Sequence, residues 1–382
     1  MAERRVYNGG MMSAPAGRIA VILPFIFMIL FSGCVTQDNT WSMTINGDQD
    51  AIINESVYNK MINCSSTYDC IKGIPLEIFL YYYGIYPVES VSFADKTYLW
   101  EDVAYVSAKD IEMMVLPNGT VFYDGAITQT DHINVDVSDL PPVSTLSIAP
   151  SILDALGIED TEGSIIENKT DRIVLFYIDG MGYGRYLNAS SEGIINNITA
   201  MGPPIKAIDV YPSISRANSR AMVTGIAPDI TKGDLKSSMP DGVTILHKVS
   251  DNGLKAVWVG GISSPVYLDD HIVYNLDSNA NGSQDDEVAE EAIRQYESGA
   301  DLMIVHFKNT DSVMHDYGPE SAEAREALSY ADALAGNIIH HLDPGTVVII
   351  FSDHGGHYTE EGGNHGTLLP EDMIVPIFVH TI

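Results

Sequence analysis

The chain is 382 residues long, enough for one large domain and a smaller one, since domains usually run to roughly 100–200 residues. Its 52 acidic residues face 20 basic ones, and the formal charge of -32 argues against electrostatic capture of nucleic acid or of anionic membrane surfaces. The acidic excess is spread along the chain, as on a solvated surface suited to a salty or extracellular setting.

At the N-terminus, Arg4, Arg5 and Arg18 precede an apolar stretch from Ile19 to Phe31. That stretch is short for a membrane span, which takes about 20 residues, and suits the apolar region of a signal peptide. Leu30 to Cys34 looks like a lipobox, so residues 1–34 are expected to be removed or lipidated at Cys34; an ordinary signal peptide and an uncleaved anchor helix are the alternatives. Each exports the remainder, and the lipobox and anchor-helix readings place it at the extracellular face of the membrane, held by lipid or by an N-terminal helix. Cys64 and Cys70 then remain as an exported pair able to form a disulfide. Sequons at Asn54, Asn63, Asn118, Asn168, Asn188, Asn197 and Asn281 permit surface glycans.

Residues 35–140 are expected to form a small α+β accessory domain, with a hairpin around Asn118-Gly119 and tyrosines that serve core and rim. After Pro141-Pro142, helical and strand patterns alternate to Ile382, as a doubly wound, mostly parallel α/β sheet with helices on both faces requires. Pro150, the apolar face of Ile152, Leu153 and Leu156, and Gly157 predict a helix over residues 148–157. Strands are predicted at Ile173 to Ile178, Lys206 to Tyr211, Ala256 to Gly260, Leu302 to Phe307, Thr346 to Phe351 and Ile374 to His380. Helices are predicted at Asp241 to Asp251, Asp285 to Glu297 and Pro319 to His341.

Acidic and imidazole residues collect where apolar runs end. Asp179 closes the first such strand, Asp311 and His315 follow Leu302 to Phe307, and Asp353 and His354 follow Thr346 to Phe351, with His365 beyond. Open α/β sheets place their sites at the carboxyl ends of parallel strands, so these segments converge. Three carboxylates and three imidazoles suit a borderline-soft divalent ion, zinc first and manganese as an alternative. His306 and His357 lie near the cluster in sequence and are read as structural or as supports behind the ligands, His357 being the more natural spare ligand.

The order of motifs resembles the alkaline phosphatase superfamily, most closely its type I phosphodiesterase/nucleotide pyrophosphatase branch. The pieces are YIDGMG at Asp179, YPSISRANSRAMVTG at Ser215, NTDSVMHDYGP at Asp311 and His315, SDHGG at Asp353 and His354, and GGNHG at His365. The resemblance covers about residues 171–380. It implies two metal ions, one on Asp311, His315 and His365, the other on Asp179, Asp353 and His354 and in contact with the nucleophile. Ser213 and Ser215 both sit in the nucleophile loop, and aligning PSISRAN with the family's Pro-Thr-x-Thr-x-Pro-Asn puts Ser215 on the attacking position. Asn218 keeps the family's asparagine and is expected at the substrate, loop hydrogen bonding and helix capping being its alternative roles. Arg216, Lys232 or Lys236 can bring positive charge to the phosphate oxygens. Serine stands where the branch usually has threonine, and Arg216-Ala217 replaces an apolar residue and proline; Ser-Arg-Ala is also similar to the Ser-Ala context of alkaline phosphatases, which leaves monoester against diester open.

The resemblance therefore implies an exported two-metal hydrolase of phosphoric esters, acting on a small phosphate ester through a Ser215 phosphoenzyme, with phosphodiester or nucleotide pyrophosphate bonds first. Alternatives are a phosphomonoesterase, a phosphonate hydrolase, a sulfatase (disfavoured, since PSISRAN lacks the formylglycine proline), a phosphoethanolamine-type transferase, and a binding protein on a retired fold. The segment Ser144 to Ile158 looks like a piece that the superfamily usually carries after its last metal histidine, so its helix is expected against the strand Ile374 to His380, a plain linker helix between the two domains being the alternative.

Overall fold

The structure is a computed structural model that describes residues 41–382 apart from 48–49, 69, 84, 86, 105–111, 138–142, 162–163 and 230–234. Cys34 with its lipobox, Lys232 and the expected domain boundary near Leu140 lie outside the described residues.

The longest apolar runs become the middle of a seven-stranded sheet. Across it the order is Ile205–Ile208, Ile374–Thr381, Val347–Phe351, Ile173–Ile178, Leu302–Phe307, Ala256–Gly261 and Ile272–Asn275. All neighbours run parallel except Ile374–Thr381, which is antiparallel to both of its partners. Ile173–Ile178 is buried along its whole length, which explains why it reads as a continuous apolar run and not as an alternation.

Alternate residues of each strand feed two cores. Leu175, Tyr177, Ile304, Ile349 and Phe351 face helices Ile148–Ala155, Ser215–Thr224 and Ile245–Asp251. Val174, Phe176, Ile178, Val305 and Ile350 face helices Tyr183–Ser191, Asp285–Glu297 and Ala322–Ile339. The fold is thus a mostly parallel sheet with helices on both faces, as the alternating sequence pattern predicts.

Helix Ile148–Ala155 puts Ile148, Ile152 and Leu153 into one core with Val375 and Ile377, and Gly157 follows it at φ 70°. The helix expected from Pro319 starts only at Ala322, where the Ser321 side chain accepts from the Ala324 amide. The helix expected from Asp241 likewise starts after its cap Thr244. The strand expected to reach Tyr211 ends at Ile208, and the chain then turns into the loop before Ser215.

Residues 41–137 form two five-stranded sheets around helix Leu76–Tyr83. Asn118-Gly119 does make a hairpin, between Met114–Val115 and Thr120–Tyr123. Tyr58 stacks on Phe79 inside the core of this region. That core also takes in Leu368 and Leu369 from the loop beyond His365, and the described residues make one compact unit.

Two expectations are corrected here. Cys64 and Cys70 are free thiols: Cys64 packs against the N-terminal core, while Cys70 is exposed at the tip between strands Ser66–Tyr68 and Ile71–Pro75. Asn188 is unsuited to carry a glycan, because it is buried and donates to Glu320, and Asn197 turns inward to Asp332. Among the described residues no helix is long and apolar enough to cross a membrane.

Candidate metal centre

Asp179 leaves the end of the central strand, and Gly180 follows at φ 71°, where a glycine turns the chain without steric cost. Asp353 and His354 leave the neighbouring strand Val347–Phe351. Gly355 must be glycine, since a Cβ there would run into the Glu371 carbonyl oxygen. Asp311 and His315 sit one turn apart on helix Asn309–Tyr317 and so share a face. His365 follows the hairpin of His357–Thr359 and Gly362–Asn364.

The three imidazoles are oriented alike. His354 donates its Nδ1 proton to the Gly355 carbonyl (2.8 Å), His315 to Gly363 (3.0 Å) and His365 to Ser213 (2.7 Å). With the proton on Nδ1 held by a carbonyl, each ring can offer the Nε2 lone pair to the centre, the arrangement that metal-ligating histidines use. His315 and His365 bring these atoms to 3.1 Å of each other, and the rings of His354 and His365 stack at 3.6 Å. Lone pairs that close repel unless a cation lies between them.

The carboxylates complete the donor set. His354 Nε2 lies 3.4 Å from Asp179 Oδ1 and from Asp353 Oδ2, and Asp311 Oδ1 lies 3.5 Å from His315 and 3.7 Å from His365. Asp179 Oδ1 and Asp311 Oδ1 are buried without a hydrogen-bond partner, which a bound cation would remedy. The donor atoms of Asp179, Asp353 and His354 lie within 4.8 Å of one another, as do those of Asp311, His354 and His365. His354 thus borders both groups. These residues fit divalent ions.

The titration behaviour has the same origin. Burial pushes the Asp353 carboxyl up to about 8, with the Asp179 charge adding to it, and burial and Asp179 likewise raise Asp311. For Asp179 burial is outweighed by the hydrogen bond from His306 and by the closeness of the His306 and His354 imidazoles, which hold its carboxyl well below the usual range. Burial lowers His365 to about 3, with the His354 charge next to it. Carboxyls crowded this way hold protons that divalent ions displace.

Ser215 opens helix Ser215–Thr224, and its Oγ lies 3.1 Å from His354 Nε2. Ser213 is fully buried with its hydroxyl on the Met373 sulfur, so of the two serines it is Ser215 that meets the cluster. Asn218, expected at the substrate, is instead fully buried. Its carbonyl oxygen accepts from Val210 N and Thr145 Oγ1, and its amide donates to Val210 O and Asp209, so it ties the strand end to the turn at Thr145. Arg216 is exposed beside Ser215 and donates to the Lys236 carbonyl at 2.8 Å, pinning the loop that carries exposed Lys236.

His357, the expected spare ligand, pairs with Asp372 at 2.8 Å instead. The histidine that touches the cluster is His306, whose Nε2 donates to Asp179 Oδ2 at 3.0 Å. Tyr177 donates to Asp353 Oδ2 at 2.5 Å. The one hint for His306 in the sequence is a polar residue inside the otherwise apolar run LMIVHF; Tyr177 gives none.

Residues 245–375 match the type I phosphodiesterase/nucleotide pyrophosphatase family, the branch that the motif order resembles. Asp311, His315, Asp353, His354 and His365 lie inside that stretch, while Asp179 and Ser215 precede it. Among curated proteins the chain is similar to the catalytic subunit of human GPI ethanolamine phosphate transferase 3, 27% identical over 134 residues, 35% of this chain and 12% of that one. It is also similar to GPI ethanolamine phosphate transferase 3 of Saccharomyces cerevisiae, 30% identical over 109 residues, 28% of this chain and 10% of that one. The chain therefore spans about a tenth of the length of these relatives. Among solved structures it resembles the C-terminal periplasmic domain of EcEptC from Escherichia coli in complex with Zn, at a TM-score of 0.39 and 15% identity, over 56% of this chain and 73% of that one. It also resembles murine ectonucleotide pyrophosphatase/phosphodiesterase 5 in complex with AMP, at 0.38 and 15% identity, over 50% of this chain and 59% of that one.

Proposed function

We propose that this chain is a metal-dependent enzyme of phosphoric esters that works through a phosphoenzyme on Ser215. The observation that carries this reading is the contact of Ser215 Oγ with His354 Nε2, a group whose neighbours Asp179 and Asp353 fit a divalent ion. Asp179, Asp353 and His354 would hold one ion and Asp311, His315 and His365 the other, zinc first by donor chemistry. Bound there, such ions supply charge that neutralises phosphoryl oxygens and makes a hydroxyl more nucleophilic.

The chain's own groups do the rest. Ser215 Oγ forms the new bond to phosphorus as the leaving oxygen departs opposite it and takes up the serine proton. Amides in the first turn of helix Ser215–Thr224 lack intrahelical partners and suit phosphoryl oxygens. A hydroxyl then attacks the phosphoserine, breaks the Oγ–P bond and restores Ser215. If that hydroxyl is water, the enzyme is a hydrolase of phosphodiester or nucleotide pyrophosphate bonds.

A second reading makes the acceptor another molecule's hydroxyl, so that an ethanolamine phosphate group is transferred. The similarity to the GPI ethanolamine phosphate transferases favours it. Both readings share the first half-reaction. The test is a panel of chromogenic phosphate mono- and diesters and a sulfate ester with several metals, run with and without alcohol acceptors. Release of phosphate or a phosphomonoester to water alone supports hydrolysis; acceptor-bound product supports transfer; no turnover and no Ser215 adduct under any metal would defeat both. The export reading rests on the N-terminal pattern, and a mature protein beginning at lipidated Cys34 is its expected outcome in mass spectrometry.

A further inference from the structure

Behind the metal ligands lies a buried pair that the proposed chemistry does not use. Tyr177 and His306 stand side by side in register on the parallel strands Ile173–Ile178 and Leu302–Phe307. Each is the last but one residue of its strand, so the two point to the same face. Their rings stack at 4.1 Å with 24° between planes. Trp258 meets both edge-on, at 5.9 Å from Tyr177 and 5.6 Å from His306, and Phe351 packs on Tyr177 at 4.9 Å. Enclosed in this way, neither ring can turn without opening the core.

Their polar atoms reach one carboxylate each. His306 Nε2 donates to Asp179 Oδ2 at 3.0 Å and leaves Oδ1 of the same carboxylate without a partner, 3.4 Å from His354 Nε2. Tyr177 Oη donates at 2.5 Å to Asp353 Oδ2, the oxygen that lies 3.4 Å from His354 Nε2, while the Gly180 amide donates to Oδ1 at 3.3 Å; the tyrosine oxygen is also 3.1 Å from the hydroxyl of Ser219. Ser219 lies one turn beyond Ser215 on the same helix. The tyrosine hydroxyl thus joins a ligand carboxylate to the helix that carries the nucleophile.

We infer that Tyr177 and His306 are positioning residues for the metal held by Asp179, Asp353 and His354: His306 fixes which Asp179 oxygen faces the ion, and Tyr177 fixes the orientation of the Asp353 carboxylate and the ligands' place against the Ser215 helix. Neither touches the reacting atoms. An isolated carboxylate can rotate; His306 leaves Asp179 only Oδ1 to offer, and Tyr177 with the Gly180 amide holds the Asp353 carboxylate in one orientation, which lowers the entropy cost of ordering the ligands on binding. The inference rests on the two-metal reading above.

The test compares Tyr177→Phe, His306→Leu and His306→Gln in the full chain. Zinc affinity is measured by competition with a chelator, ion number by elemental analysis, and thermal unfolding after chelation. Tyr177→Phe keeps the ring and its stacking and removes only the hydroxyl. The expected result is weaker binding of the tighter ion by roughly 10- to 100-fold in Tyr177→Phe and His306→Leu. His306→Gln, which keeps a donor, recovers most of that loss. Zinc bound to Tyr177→Phe and His306→Leu as tightly as to the native chain would overturn the inference, whatever their stability in chelator. A native chain that binds no zinc would overturn the two-metal reading itself.

Discussion

The two halves of the candidate centre are built from different material. Asp179, Asp353 and His354 leave the ends of adjacent strands in the middle of the sheet, and their side chains are at most 2% exposed. Asp311, His315 and His365 come from a helix and from the end of a short hairpin, and the His315 side chain is 40% exposed. The inner half is held by two cores and by tied carboxylates, whereas the outer half opens to water at His315, keeps Asp311 and His365 at 9% and 10% exposure, and depends on one helix and one loop. Rigid, dehydrated donors strengthen every charge interaction among them, so the inner half should hold its ion more tightly and tolerate change less.

The largest effect is expected at the point where the inner half meets the nucleophile. Ser215→Ala should lower turnover by on the order of 10³-fold or more and remove any covalent phosphoserine, while zinc content stays near native. If Ser213→Ala were the inactive variant and Ser215→Ala turned over normally, the assignment would be off by two residues. Next comes the contrast between the halves. Asp353→Asn should abolish activity at any metal concentration, and His315→Ala should lose roughly 10- to 100-fold and regain part of it in excess zinc. Equal and unrecoverable losses would erase the distinction drawn here.

Stepwise chelation gives a smaller but sharper reading. Ion content against free chelator should fall in two phases, the first attributable to the outer half and absent from a His315→Ala preparation. A single phase for both ions would mean that the shared neighbour His354 couples the halves too strongly to be treated apart.

The smallest expected effect concerns Glu371, on the short helix Pro370–Met373 whose backbone braces Gly355 beside His354. Burial pushes the Glu371 carboxyl up to about 7, with the Asp372 and Glu77 charges contributing. A carboxyl raised in the folded state binds a proton there that the unfolded chain has already released. Stability conferred by this group is therefore full below its unfolded pKa and declines as pH rises toward 7. Glu371→Gln should flatten that decline by on the order of 1–2 kcal/mol in denaturant unfolding between pH 5 and pH 8, measured in chelator. An unchanged slope would show that the carboxyl finds compensation elsewhere.

Much of the inner half was legible because its strands are buried on both faces. Runs such as IVLFYI and LMIVHF can only be central strands, and a carboxylate just past such a run has few other places to go. Of the two roles open to Asn218 the structure takes loop hydrogen bonding, because a motif position fixes the backbone but not where the amide points, and here a buried strand end needs its hydrogen bonds. His306, read as structural or supporting, takes that role because the register puts it beside Tyr177 with Nε2 on Asp179, a pairing that spacing alone does not show. That His354 borders both halves is a matter of ångströms between loops, which residue spacing does not encode.

Leu368 and Leu369 sit just past His365 and bury themselves in the core of residues 41–137. Anyone trimming the chain to its sheet would meet this as a cost: a fragment starting after residue 142 would keep the strand-borne ligands yet leave two leucines in water and the His365 loop without its mooring. The small N-terminal part is then less an appendage than half of a clasp, and a ligand or antibody that pries at it should be felt first at His365.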